Sequence, residues 1–404
     1  MINRLDGQIR VSRWWTGQAM TAFVALLTAV TSRSQPASAP TPHEPLTPAL
    51  SPSDGEREKT RRVLVQSGDE IIACGERFHT GAPVVLWTDK GGYDFHYSRA
   101  PGSPDERKPS RVRMSPLTDA QVAQVRRDGW TLDLLRDNVD QFVIHYSVEG
   151  TSRQTFGKLA ERHLSVQLML DLDGTIYQTM DLQEEAPHAT KANGRSVGIE
   201  IANLGAYVGN IAPLNAWYKK DASGQIAIKI PAEFGDGGIR TKNFVGRPAR
   251  AEIFKGVLQG KMLEQYDFTP QQYNSLIHLT AALCSVFPKI TCDYPRQKPA
   301  FGPSAAQLVK DSPASHTNAL AAFNEPGVLI RHALSAEQYQ VYQGILGHYH
   351  VQTDKEDPGP AFQWDTVIMA ARKLMTPQAL AANAAARGNP ARFISSRPAR
   401  KNGK

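Results

Sequence analysis

The chain has 404 residues, enough for one large domain or two ordinary ones. Hydrophobic residues at 41% and charged residues at 21% are ordinary for a globular core, and three cysteines are too few for a disulfide framework. The formal charge of +7 favours anionic partners without choosing among polymer, membrane surface and nucleic acid, and much of it sits in the tail (Arg392, Arg397, Arg400, Lys401, Lys404).

The N-terminus reads as an export signal. Arg4, Arg10 and Arg13 precede an uncharged run over 14–32 that is apolar around Phe23-Val24-Ala25-Leu26-Leu27. The run is also just long enough to span a bilayer, so a single uncleaved anchor is the second reading. No cysteine follows it, which argues against a lipoprotein. Residues 34–53 are rich in Pro, Ser, Ala and Thr and lack a hydrophobic period, as a flexible linker does.

Short strands are expected at 63–65, 71–72 and 84–87, the last closed by Asp89-Lys90-Gly91-Gly92. His79 and His96 lack metal-ligand spacing and read as surface or core histidines. Residues 99–114 read as a connecting loop. Thr118 caps a helix over 119–128. Asp140-Gln141-Phe142-Val143-Ile144-His145-Tyr146-Ser147 is a strand with a histidine near its end, and 155–163 a short helix. The strand at 164–170 returns through Asp173-Gly174, a hairpin signal. Ser196 to Asn203 is a buried-type strand interrupted by Glu200, and a carboxylate there needs a reason. Residues 205–261 read as a basic, Gly-rich insertion that carries a hairpin, with strand-like alternation only at 225–230. A solvated surface hairpin is one reading of it and an extension of a cleft toward anionic polymer the other.

Thr269-Pro270 opens a helix with Tyr273, Leu276, Ile277, Thr280, Ala281 and Cys284 on one stripe; His278 lies beside it as a structural residue. Cys284 and Cys292 are either bridged or two buried thiols. Residues 301–325 form a second insertion, 335–342 a short helix, and 367–375 and 377–387 two more. Before these last two comes Gly347-His348-Tyr349-His350-Val351-Gln352-Thr353-Asp354-Lys355-Glu356-Asp357-Pro358-Gly359-Pro360-Ala361-Phe362-Gln363-Trp364. Imidazole and carboxylate with one open position suit hydrolytic metal chemistry, and an adjacent ammonium suits a developing oxyanion.

The order of His145, the Asp173-Gly174 hairpin, Asn193-Gly194-Arg195-Ser196-Val197-Gly198-Ile199-Glu200, the helix from Thr269, and Gly347-His348 through Asp357-Pro358-Gly359-Pro360 resembles the zinc-dependent N-acetylmuramoyl-L-alanine amidases of the type-2 group. These are related in fold to the peptidoglycan recognition proteins. The resemblance covers about 140–364 and implies an α/β fold, a mixed central sheet flanked by helices. It implies His145, His348 and Asp357 as Zn2+ ligands, Glu200 as the base that activates water, and Lys355 as the oxyanion's partner. His188 and Asn193 would line the substrate cleft. His350 is a rival ligand that shares a strand face with His348, while Asp354 and Glu356 face solvent.

Two features depart from the family. Ser165 is followed by Val166-Gln167 where a histidine is usual, and the usual Trp-His pair is Pro187-His188. Both bear on substrate preference and neither on a ligand. The implied substrate is peptidoglycan, cut between N-acetylmuramate and L-alanine by an exported, monomeric enzyme that uses no nucleic acid and touches membrane only if the N-terminus stays uncleaved. A peptidoglycan-binding module without activity and a stem-peptide endopeptidase are the competing readings. The resulting division is 1–33 signal or anchor, 34–60 linker, 61–115 a β-rich extension (an added sheet edge or a separate module), 116–368 the zinc domain with insertions near 205–262 and 293–340, and 369–404 a helical then basic tail.

Overall fold

The computed structural model describes residues 68–96, 111–114, 116–297 and 327–387, all within the unit Glu56–Lys404. The expected export segment, linker, strand at 63–65, insertion at 301–325 and basic tail lie outside the described residues. Strands β1 (Glu70–Ala73) and β2 (Glu76–His79) form a hairpin, then β3 (Val84–Leu86) and β4 (Arg111–Val112) follow. Helices α1 (Asp119–Asp128) and α2 (Leu132–Asn138) lead into β5 (Gln141–Tyr146), α3 (Ser152–Glu161), β6 (Leu168–Leu170), β7 (Ile176–Gln178), β8 (Glu184–Glu185) and β9 (Ser196–Ile201). Next come α4 (Ala212–Trp217) and two hairpins, β10 (Tyr218–Lys220) with β11 (Ile226–Ile228) and β12 (Phe254–Leu258) with β13 (Lys261–Gln265). Helix α5 (Pro270–Val286), β14 (Arg296–Gln297), β15 (Val328–Leu329) and α6 (Ala336–Val341) precede β16 (Gly344–Gly347), α7 (His348–Val351), α8 (Trp364–Leu374) and α9 (Pro377–Arg387).

The central sheet has six strands in the order β16-β5-β9-β6-β7-β3. Neighbours run parallel except β6 and β7, which the Asp173-Gly174 turn joins antiparallel. Gly174 takes φ +85°, the left-handed value that such a turn requires. The sheet is therefore mixed, and both of its faces are covered, as parallel strands demand. Phe142, Ile144, Val197, Ile199, Leu168 and Ile345 pack on one side with α2 and α5. Val143 and Leu346 meet Ile330, Leu334 and Tyr339 on the other. Since successive strand residues face opposite ways, this two-sided burial accounts for the unbroken apolar run of β5.

Helix α5 starts where the sequence dictates. Thr269 and Gln272 form a capping box, with Pro270 at the first turn. Leu276, Leu279 and Leu283 are buried on the sheet side, each stabilising the fold by roughly 2 kcal/mol. A charge at Leu279 would be trapped between helix and sheet. Helices α8 and α9 pack against the same helix.

Several expectations change. Helix α2 was not anticipated. Thr131 caps it and Leu134 and Leu135 bury it, but seven residues, about two turns, leave little period to read. The helix expected at 155–163 begins at Ser152, because Thr151 accepts from the Gln154 amide. The strand expected at 164–170 is only Leu168–Leu170, since His163 turns at φ +53°. The first insertion carries two hairpins rather than one. Strand β3 joins the main sheet as an edge, parallel to β7. Cys284 and Cys292 are free and buried. Among the described residues no helix is long and apolar enough to cross a membrane.

Candidate metal centre

Three adjacent parallel strands, β16, β5 and β9, end together, and their C-terminal edge is where an open parallel sheet offers a crevice. Gly347 is in register with Ile144, so His348 leaves β16 beside His145 on β5. His145 is in turn paired with Glu200 on β9. Gly347 has to be glycine, because a Cβ there would meet the Pro358 Cδ at 2.7 Å and the Tyr349 ring at 2.8 Å. The loop after α7 then brings Asp357 back over the strand ends. Its Oδ2 lies 2.7 Å from Nδ1 of His145 and 3.1 Å from Nδ1 of His348. All three residues are buried, and their ligand atoms lie within 4.8 Å of one another.

The far nitrogen of each imidazole is held, and this fixes which nitrogen carries the proton. The Ser196 hydroxyl donates to the Ala192 carbonyl at 2.7 Å, so its oxygen accepts from His188 Nε2 at 3.1 Å. His188 Nδ1 is then an acceptor, and His145 Nε2 donates to it at 3.0 Å. In the same way His348 Nε2 donates to Gln352 Oε1 at 2.7 Å. Both Nδ1 lone pairs therefore point at an ionised carboxylate oxygen. Three converging lone pairs repel one another unless a cation or a proton sits among them. Two imidazoles and one carboxylate with an open side are the donor set of a catalytic zinc site, and the residues fit that ion.

The electrostatics agree. Burial alone would raise the Asp357 pKa, but the His348 and His145 rings outweigh it and hold the carboxyl well below the usual carboxylate range. Burial and then the neighbouring His348 lower the pKa of His145. His348 is also penalised by burial, yet Asp357 draws its pKa upward. Burial, followed by repulsion from Asp357, pushes Glu200 well above the ordinary glutamate value, while Arg162 and Lys355 oppose the shift. The residue is partly open to solvent, but its Oε2 is buried and has no hydrogen-bond partner. Lys355, half-buried, acts electrostatically on His145, His348 and Glu200 together.

His145, His348 and Asp357 thus come together as one cluster, with Glu200 one strand away. The rivalry of His350 ends with a correction. Residues 348–351 form a helical turn rather than a strand, so alternate residues do not share a face. His350 Nδ1 accepts from the Gly347 amide at 2.9 Å and Nε2 donates to the Ile330 carbonyl at 2.8 Å, a buried structural role. His188 touches His145 directly, packed so closely on Gly198 that a Cβ there would lie 2.6 Å from its ring. Asn193 is buried, and its Oδ1 accepts from the amides of His188 and Ala189 at 3.1 and 2.7 Å. It shapes the His188 loop. Sequence reasoning missed Ser196 and Gln352; the spacing of four residues from His348 to Gln352 was the available signal.

The family model described as N-acetylmuramoyl-L-alanine amidase matches residues 135–360. A search of curated proteins found no match. Among solved structures, the selenomethionine derivative of AmpD is similar at 15% identity, covering 60% of this chain and 87% of that one, with a TM-score of 0.26. The endolysin N-acetylmuramoyl-L-alanine amidase LysCS from Clostridium intestinale URNW is similar at 14% identity, covering 60% and 88%, with a TM-score of 0.28. The amidase LysC from the same organism gives 14%, 60%, 89% and 0.28.

Proposed function

The chain belongs to the N-acetylmuramoyl-L-alanine amidase family, and from that premise we propose that it is a zinc enzyme that hydrolyses the amide between N-acetylmuramate and L-alanine in peptidoglycan. The observation that carries this reading is the convergence of His145 Nδ1, His348 Nδ1 and Asp357 Oδ2, each imidazole fixed from behind, one strand from Glu200. Zinc, when bound by these three, supplies Lewis-acid polarisation of the scissile carbonyl and a lowered pKa for water.

The chain's own residues do the rest. Glu200 takes a proton from the attacking water, and its raised proton affinity suits a group that must then deliver that proton to the departing alanine nitrogen. Lys355 stabilises the oxygen of the tetrahedral intermediate, where charge develops next to its ammonium. His188 and Gln352 keep the two imidazoles in the ligating tautomer. The basic and then apolar N-terminus supports export to the envelope, where peptidoglycan lies, and we assign the enzyme there as a monomer.

The test is release of stem peptides from purified peptidoglycan before and after a chelator. Loss of release on chelation and its return with added zinc support the reading. Release that survives full removal of metal contradicts it.

A further inference from the structure

The loop that carries His348 and Asp357 has little to hold it in place by itself. A single turn of helix is marginal alone, and its C-terminal carbonyls have no partners within the turn. Those partners come from the β12–β13 hairpin. Gln259, at the hairpin tip, donates from Nε2 to the carbonyls of Tyr349 and Gln352 at 2.9 and 2.8 Å. Its Oε1 accepts from the Ala333 amide at 3.3 Å. At the other end of the hairpin, Gln265 embraces the backbone just after Asp357. It donates to the Pro358 carbonyl and accepts from the Ala361 amide, both at 3.0 Å. Gln265 is fully buried, and a Cβ on Gly359 would lie 2.1 Å from its Oε1. Between the two, Lys261 pairs with Glu356 at 2.6 Å.

The tip carries a second, independent sign. Gln259 and Gly260 both have positive φ, +51° and +73°, as a two-residue turn of this hand requires. The favoured pair at such a turn is Asn-Gly, whose short first side chain tolerates the left-handed region. Glutamine occupies the strained position instead, and the extra methylene is what carries its amide to the carbonyls of α7. Strain retained at a position with this many directed hydrogen bonds points to a role for the side chain.

We propose that the β12–β13 hairpin is a clamp on the metal-binding loop, with Gln259 and Gln265 as positioning residues that set the spacing of His348 and Asp357 and hence the affinity for zinc. The inference rests on the zinc reading above. The path from Gln259 is short: it fixes the carbonyl of Gln352, whose side chain fixes His348.

The experiment measures the zinc dissociation constant by competition with a chromogenic chelator, and in parallel the melting temperature of the metal-free protein. Gln259→Leu and Gln265→Leu remove the hydrogen bonds at nearly constant volume; Met262→Gln, on the exposed face of the same hairpin, is the control. Gln259→Leu is expected to weaken zinc binding by about 10- to 100-fold, as loss of an outer partner does, with the control unchanged. A merely structural role would lower the metal-free melting temperature and leave the zinc constant within about twofold of wild type, and that result overturns the clamp. Should Gln265→Leu fail to fold, Gln259→Leu decides alone. Wild-type protein that binds no zinc would sink the zinc reading itself, a distinct failure.

Discussion

His145 and Glu200 are direct partners across β5 and β9. In a parallel pair this puts both side chains on one face at one level, so a ligand and a base are fixed by sheet register rather than by a loop. A slip of one residue would send one of them to the opposite face. The separation of duties also follows: Glu200 has no hydrogen-bond partner at Oε2 and stays available for proton transfer.

Glu200→Gln preserves shape and removes the proton acceptor. Turnover should fall by about 10²- to 10⁴-fold, the usual worth of a positioned base. Zinc content, measured by atomic absorption on the same sample, should stay at the wild-type level. Unchanged turnover would remove Glu200 from the chemistry; lost zinc would make it a ligand or a structural group.

His188 acts through His145. With His188→Phe, nothing accepts the Nε2 proton of His145, and its ring is free to rotate or change tautomer. Zinc affinity should drop by about 10-fold or more, while stability of the metal-free fold changes little. A shift in the Michaelis constant with zinc affinity intact would mean that His188 serves substrate instead.

Away from the centre, Asp171 gives a pH signature. Its Oδ1 accepts from the amides of Ser152 and Leu172, but Oδ2 is buried without a partner, and burial raises the pKa from 3.8 to about 7. A raised carboxyl pKa means that the folded state holds the proton more tightly than the unfolded state. The penalty is absent below the unfolded pKa of 3.8, grows as pH rises, and is complete above about 7. Asp171→Asn keeps the oxygen acceptor and removes the charge. Relative to wild type it should gain on the order of 2 kcal/mol between about pH 5 and about pH 8 in urea unfolding. An equal gap at both pH values would show that the fold does not raise the pKa of Asp171.

The helix caps were legible in the sequence because capping chemistry is local: Thr118 and Thr269 each open the helix expected of them. Strand β5, with His145 near its end, and the Asp173-Gly174 hairpin were legible for the same reason. The hydrogen bonds that hold the metal ligands were not. Ser196, His188 and His145 form a chain only because β9 and β5 lie side by side, and Gln259 reaches α7 across 90 residues of sequence. The 348–351 turn misled because Gly-His-Tyr-His after an apolar run reads as a continuing strand, whereas four residues are too few to display a helical period. A solvated surface hairpin was one reading of the basic insertion at 205–261, yet Gln259 faces inward from it.

The central claim is the identity of the bond that is cut. Purified peptidoglycan incubated with the zinc-loaded protein should yield stem peptides with a free L-alanine N-terminus and glycan strands whose lactyl groups are bare, as read by mass spectrometry. Peptides cleaved within the stem, with alanine still attached to muramate, would contradict the account, as would binding without release.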